Sequence, residues 1–71
     1  MNGFAKMRVA ANLLQEEAAA SLQVDRSTVS KWETGDSRPR ADKLLAIANL
    51  YGCNVSDLLA DTDDDDKTEA V

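Results

Sequence analysis

Histidine is absent from the 71 residues. That absence removes the commonest general base near neutral pH and the commonest transition-metal ligand together. Cysteine occurs once, at Cys53, which excludes an internal disulfide, and a lone thiol of this kind reads as a small core residue. Proline also occurs once, and Pro39 excludes a helix through "DSRPR". No apolar run approaches the ~20 residues of a membrane span, and the N-terminus lacks a signal-peptide pattern. A cytoplasmic protein is the expectation. Glycine-rich phosphate cradles, Ser–base pairs and metal-ligand clusters are missing too, so no turnover, no cofactor and no metal site are expected. Glu16 and Glu17 do not form an acid–base pair, because adjacent helical positions diverge by ~100°.

What is present is a short chain with its charge unevenly placed. Its length allows one domain at most, near the lower limit for folding without staples. The formal net charge is −5, yet residues 1–60 carry seven basic and seven acidic side chains and are neutral. The last eleven residues, "DTDDDDKTEAV", carry six acids and Lys67, and therefore the whole excess. The "DDDD" run lacks the glycine turn and interspersed carbonyl ligands of a calcium loop. Without apolar periodicity, 61–71 is expected to be an acidic disordered tail following a domain at 1–60.

The body reads as five short helices and no sheet. Phe4, Met7 and Ala11 share a helical face, which predicts a first helix from about residue 3 to 12, ending near Asn12. Gln15 to Leu22 is alanine-rich, with Glu16 and Glu17 in the first turn, where the macrodipole favours negative charge. Asp25 stands at an N-cap position ahead of a helix from Arg26 to about Thr34, which Gly35 stops. Leu44, Ile47, Ala48 and Tyr51 make the stripe of a fourth helix over 42–51, closed by Gly52. Asn54 with Asp57 resembles a capping box opening a last helix through Leu59.

The two middle helices are read as a pair crossing steeply through a short turn. Ala19 supplies the small residue needed at their closest approach. Leu22, Val24, Val29 and Trp32 point inward, so core packing rather than base stacking is the expected role of Trp32. That leaves Arg26, Ser27, Ser30 and Lys31 outward on the second helix of the pair.

The segments "LLQEEAAASLQVDRSTVSKWETG", "RPR" and "LLAIANLYGCNVSDLL" stand in an order and spacing that resemble the lambda-repressor-like helix-turn-helix family, over about residues 4–60. The resemblance implies an all-α, compact five-helix DNA-binding domain with a recognition helix at about 26–34 in the major groove. By position, Arg26, Ser27, Ser30 and Lys31 match base-contacting sites. Arg26 or Lys31 would donate to guanine O6 and N7, while the serines would discriminate less. Gln15, Thr28, Thr34, Arg38 and Arg40 match phosphate-contacting sites, with Gln15 also bracing the recognition helix and Thr28 alternatively packing at the core edge. Arg8 and Glu33 match a structural ion pair between the first and third helices. Three positions depart from the family pattern. Gln23 stands in the motif turn where Gly is common, and Leu14 and Arg40 replace polar caps.

The resemblance thus implies a sequence-specific transcriptional regulator, bacterial or phage, with double-stranded DNA as partner and no small-molecule ligand. One domain offers only about four to seven basic contacts, so a homodimer on two half-sites is expected. Its surface is sought in the last helix around Leu58 and Leu59, or near Tyr51. The alternative is an antitoxin-like adaptor that keeps the fold for protein interaction, for which the neutral body and acidic tail speak.

Overall fold

The computed structural model describes residues 2–60; the acidic segment 61–71 lies outside the described residues. Five helices follow in order: α1 Gly3–Ala10, α2 Gln15–Leu22, α3 Arg26–Thr34, α4 Ala41–Tyr51 and α5 Val55–Leu59. The helices α2 and α3 coincide with their expected spans. The helix α1 stops two residues earlier than expected, where the Ala11 amide bonds both the Met7 and Arg8 carbonyls at 3.0 and 3.1 Å. Asn12 follows in the left-handed conformation, φ 65°, and turns the chain towards α2. Gln23 does the same between α2 and α3 with φ 60°, a conformation that costs a non-glycine residue about 1 kcal/mol.

Packing supplies what the short helices lack in intrinsic stability. Phe4, Ala18, Ala19, Leu22, Val29, Trp32, Ile47, Ala48, Tyr51 and Leu58 form one buried cluster drawn from all five helices. Within it the Phe4 and Trp32 rings lie 6.4 Å apart between centroids, tilted by 39°. Burying one such large apolar side chain contributes about 1.5–3 kcal/mol, so α3 depends on the two it inserts, Val29 and Trp32. Val24 and Met7 pack at the edge rather than inside, as does Cys53, whose thiol is pushed up by burial and is held away from reactivity.

Several caps are made by groups other than the expected ones. Asp25 occupies the N-cap of α3, but its side chain makes no cap bond; the Thr28 amide bonds the Asp25 main-chain carbonyl at 2.9 Å instead. The Leu14 side chain has no oxygen to offer α2, yet its own amide is satisfied by the Glu17 carboxylate at 2.8 Å. In α5 only half of the box forms, with the Asn54 amide donating to Asp57 Oδ2 at 3.1 Å. Lys43 of α4 donates from Nζ to the Leu22 carbonyl at 3.1 Å, closing the C-terminus of α2 from outside.

The two ends of the domain meet where α1 crosses α5. The Gly3 amide donates to the Ala60 carbonyl at 2.9 Å, and Asn2 caps α1 through Oδ1 while its Nδ2 donates to the Trp32 carbonyl at 2.9 Å. Leu58 and Tyr51 are 1% and 7% exposed, so the dimer surface sought at those two residues is internal; Leu59, 47% exposed, is the one of that set facing out.

Gly3 is needed here for space. A Cβ on it would press against the main-chain carbonyl oxygens of Asp57 and Leu58, which cannot swing aside as a side chain would. Gly3→Ala is therefore expected to lower stability by about 1–3 kcal/mol in denaturant unfolding. Helix propensity alone favours Ala by about 1 kcal/mol, so a rise in stability would contradict this crossing.

Candidate nucleic-acid interface

The outer face of α3 is defined by what its inner edge buries. Val29 and Trp32 are 1% and 4% exposed, whereas Arg26, Ser27, Lys31 and Thr34 are exposed. Thr28 lies half-buried at the border between these faces, and Ser30, between Arg26 and Thr34 around the helix, is half-buried as well. Gly35 ends the helix at φ 88° with open space where a Cβ would stand, so its glycine serves conformation rather than clearance. Beyond it, Arg38 and Arg40 are exposed on the loop and at the N-cap of α4. Thr34 turns its hydroxyl back to the Lys31 carbonyl at 3.2 Å, which engages the only proton it can donate.

Beside this face lies a polar chain that joins three helices. Arg8 Nε of α1 donates to Glu33 Oε2 of α3 at 2.6 Å, and Arg8 Nη2 donates to Glu33 Oε1 at 3.2 Å. The two side chains are 13% and 8% exposed, so the pair is largely withdrawn from water. Arg8 Nη1 is spent on the Leu13 carbonyl at 2.6 Å, which fixes the guanidinium against the loop before α2. Gln15, in the first turn of α2, donates from Nε2 to Glu33 Oε1 at 2.9 Å and accepts at Oε1 from Arg26 Nη1 at 3.3 Å. Among the described residues Arg8–Glu33 is the only ion pair, so no described carboxylate neutralises Arg26, Lys31, Arg38 or Arg40 by direct contact.

Electrostatics follow this arrangement. The Arg8 guanidinium is held above its ordinary value, first by its hydrogen bonds to Glu33. Burial pushes the Tyr51 phenol up from 10.0 to about 12, and the nearby Glu33 charge adds to the shift.

Of the residues expected to touch duplex DNA, Arg26, Ser27, Ser30, Lys31 and Thr34 share the outer side of α3, Thr28 borders it, Arg38 and Arg40 follow beyond Gly35, and Gln15 stands on α2. Arg8 and Glu33 lie apart from that face, with Gln15 between. Sequence reasoning missed the roles of Asn2 and Lys43. An Asn directly before an apolar helical run is a cap signal; nothing in the sequence marks Lys43 as a partner for Leu22. Among the described residues no three His, Cys, Asp or Glu side chains gather to hold a metal ion. No described helix is long and apolar enough to cross a membrane.

Two helices joined through Gln23, Val24 and Asp25, the second cationic outside and apolar within, define a helix-turn-helix. Comparison with known proteins agrees: a model of the helix-turn-helix family matches residues 4–58. The chain belongs to this family, in its lambda-repressor-like form. It is 34% identical over 55 residues to the HTH-type transcriptional activator BcrR of Enterococcus faecalis, covering 78% of this chain and 27% of that protein. It is 37% identical over 51 residues to the 26 kDa repressor protein of Escherichia phage HK022, covering 72% and 22%. With the cryptic phage CTXphi transcriptional repressor RstR of Vibrio cholerae it shares 30% identity over 57 residues, covering 80% and 51%. The chain therefore spans from about a fifth to about half the length of these relatives. No solved structure gives a significant match.

Tyr51 is the only tyrosine, so its ionisation reports on this interior without interference. A phenol whose folded value lies above its unfolded one adds stability that is complete below pH 10 and is lost as pH rises towards about 12. Tyr51→Phe should flatten the alkaline fall in stability over that window by on the order of 2 kcal/mol. Equal alkaline slopes in wild type and variant would place Tyr51 in contact with water.

Proposed function

We propose that this chain binds double-stranded DNA sequence-specifically, with α3 in the major groove, and that it regulates transcription. The observation that carries the reading is the outer face of α3. Arg26, Ser27 and Lys31 stand exposed on a helix whose opposite edge is locked into the core by Val29 and Trp32. An α-helix fits the major groove, and donors of this kind match the acceptors that guanine presents there. Family membership points the same way, since the relatives are named as transcriptional activators and repressors.

Within this reading the contacts sort into two kinds. Arg26 and Lys31 donate to guanine O6 and N7, and Ser27 and Ser30 make shorter, less discriminating contacts to base edges. Arg38 and Arg40 hold the phosphate backbone past the end of α3. Gln15 retains a second Nε2 hydrogen for a phosphate, beside the free amides that open α2. Thr28 reaches a phosphate from the border of the face, and Thr34 does so by giving up its bond to the Lys31 carbonyl.

Four of the body's seven cations, Arg26, Lys31, Arg38 and Arg40, stand exposed on α3 and the segment that follows it, which suits a neutral body to this role. Few phosphates are neutralised by one domain, so two copies on half-sites about one helical turn apart supply the affinity. The assembly would act in a bacterial cytoplasm as a homodimer, by blocking or recruiting polymerase at a promoter.

Selection of bound sequences from random duplexes tests the reading. Wild type should enrich one site at low salt, and Arg26→Ala with Lys31→Ala should abolish the enrichment. Lys31→Ala alone should relax one base position, at a cost of ~1–3 kcal/mol. Uniform weakening across sequences would make Lys31 a phosphate contact, and no enrichment by wild type would sink the proposal.

A further inference from the structure

Gln15 stands between two partners of opposite chemistry. The Glu33 carboxylate can only accept, and it takes a hydrogen bond from Gln15 Nε2 at 2.9 Å. The Arg26 guanidinium can only donate, and its Nη1 gives one to Gln15 Oε1 at 3.3 Å. Each partner alone would settle which way the amide points, and both demand the same orientation. The amide therefore changes the polarity of the contact, turning the acceptor at Glu33 into an acceptor for Arg26 one side chain further out. A carboxylate in its place would repel Glu33, an ammonium would repel Arg26, and an apolar side chain would serve neither.

We propose that Glu33 is a positioning residue for duplex recognition, acting through Gln15 to hold the Arg26 guanidinium in the attitude from which it reads a base pair. The proposal rests on the duplex-reading function above and deepens it by one residue that never touches the duplex. The geometry favours this role over a purely structural one. Glu33 is held from the other side by two bonds from Arg8, and Arg8 is itself anchored on the Leu13 carbonyl at 2.6 Å. A rigid base of this kind fixes Oε1 of Gln15 in space, whereas an exposed arginine alone samples many rotamers. With Nη1 engaged on Gln15, the remaining N–H groups of the guanidinium stay free to form the two-point contact that distinguishes guanine. Loosening the chain at Glu33 should then blur the choice of one base pair and leave the phosphate contacts as they are, whereas loosening it at Gln15 should blur the same choice and also weaken every duplex alike through the lost Gln15 phosphate contact.

The test compares wild type, Glu33→Gln, Gln15→Met, Arg26→Ala and the Glu33→Gln, Arg26→Ala double variant. Each is measured on the selected duplex and on duplexes changed at one base pair at a time, at a temperature where denaturation curves show it folded. Glu33→Gln and Gln15→Met should each lose about tenfold in preference at the base pair that Arg26→Ala relaxes. Glu33→Gln should cause no further loss of preference there once Arg26 is Ala. If Glu33→Gln does not fold, Gln15→Met, which leaves the Arg8 pair in place, decides by the same readout. An equal fall in affinity on every duplex, with preference intact, would overturn the positioning role while leaving the regulator reading standing. A wild type that prefers no duplex would overturn the regulator reading, and this inference with it.

Discussion

A helix of nine residues has little stability of its own, and the whole arrangement depends on how α3 is held. Two constraints act on it. Val29 and Trp32 are pressed into the core shared with Phe4, Leu22 and Ile47, which sets the rotation of the helix about its axis. Glu33 is drawn to Arg8, which sets its far end against α1. Rotation and anchoring together decide which side chains remain outside. Removing one partner of a withdrawn ion pair leaves the other uncompensated, at a cost on the order of 3–5 kcal/mol, so this end of α3 is fixed firmly.

The same constraints account for the placing of charge. An acidic protein is an improbable reader of a polyanion if charge is counted over the whole chain. The described domain instead separates its groups by depth and by side. One carboxylate, Glu33, is consumed by Arg8 and Gln15; Glu17 and Asp57 are consumed at helix starts, where the macrodipole favours them. The cations of α3 and the following loop meet no such partner among the described residues. Local bonding, rather than net charge, decides which of the described cations stay unpaired.

Much of this was legible in the sequence, for physical reasons that differ between elements. The helices α2 and α3 were legible because alanine, the Val29 and Trp32 spacing and Gly35 all point one way. The end of α1 was less so: Asn12 does take the left-handed conformation expected of it, but the helix proper closes earlier through the Ala11 amide. Caps were the weakest part, since an oxygen in the right place, as on Asp25, need not be used when a main-chain carbonyl is nearer. The interior position of Leu58 depended on α5 folding back over α1, a long-range fact that no local spacing carries, whereas that of Tyr51 followed from the stripe on α4. Gln15 could be assigned a place from its neighbours in sequence. Its two opposed partners, 18 and 11 residues away, emerge only in three dimensions.

The central claim is that the face of α3 left outside by the core is the face that meets duplex DNA. Titrating isotope-labelled protein with the selected duplex and following backbone amide shifts tests it directly. The account predicts the largest changes at Gln15, at Arg26 through Lys31 and at Arg38, with Leu45 and Leu59 little affected. Changes centred on α4 and α5, with the outer face of α3 silent, would contradict it.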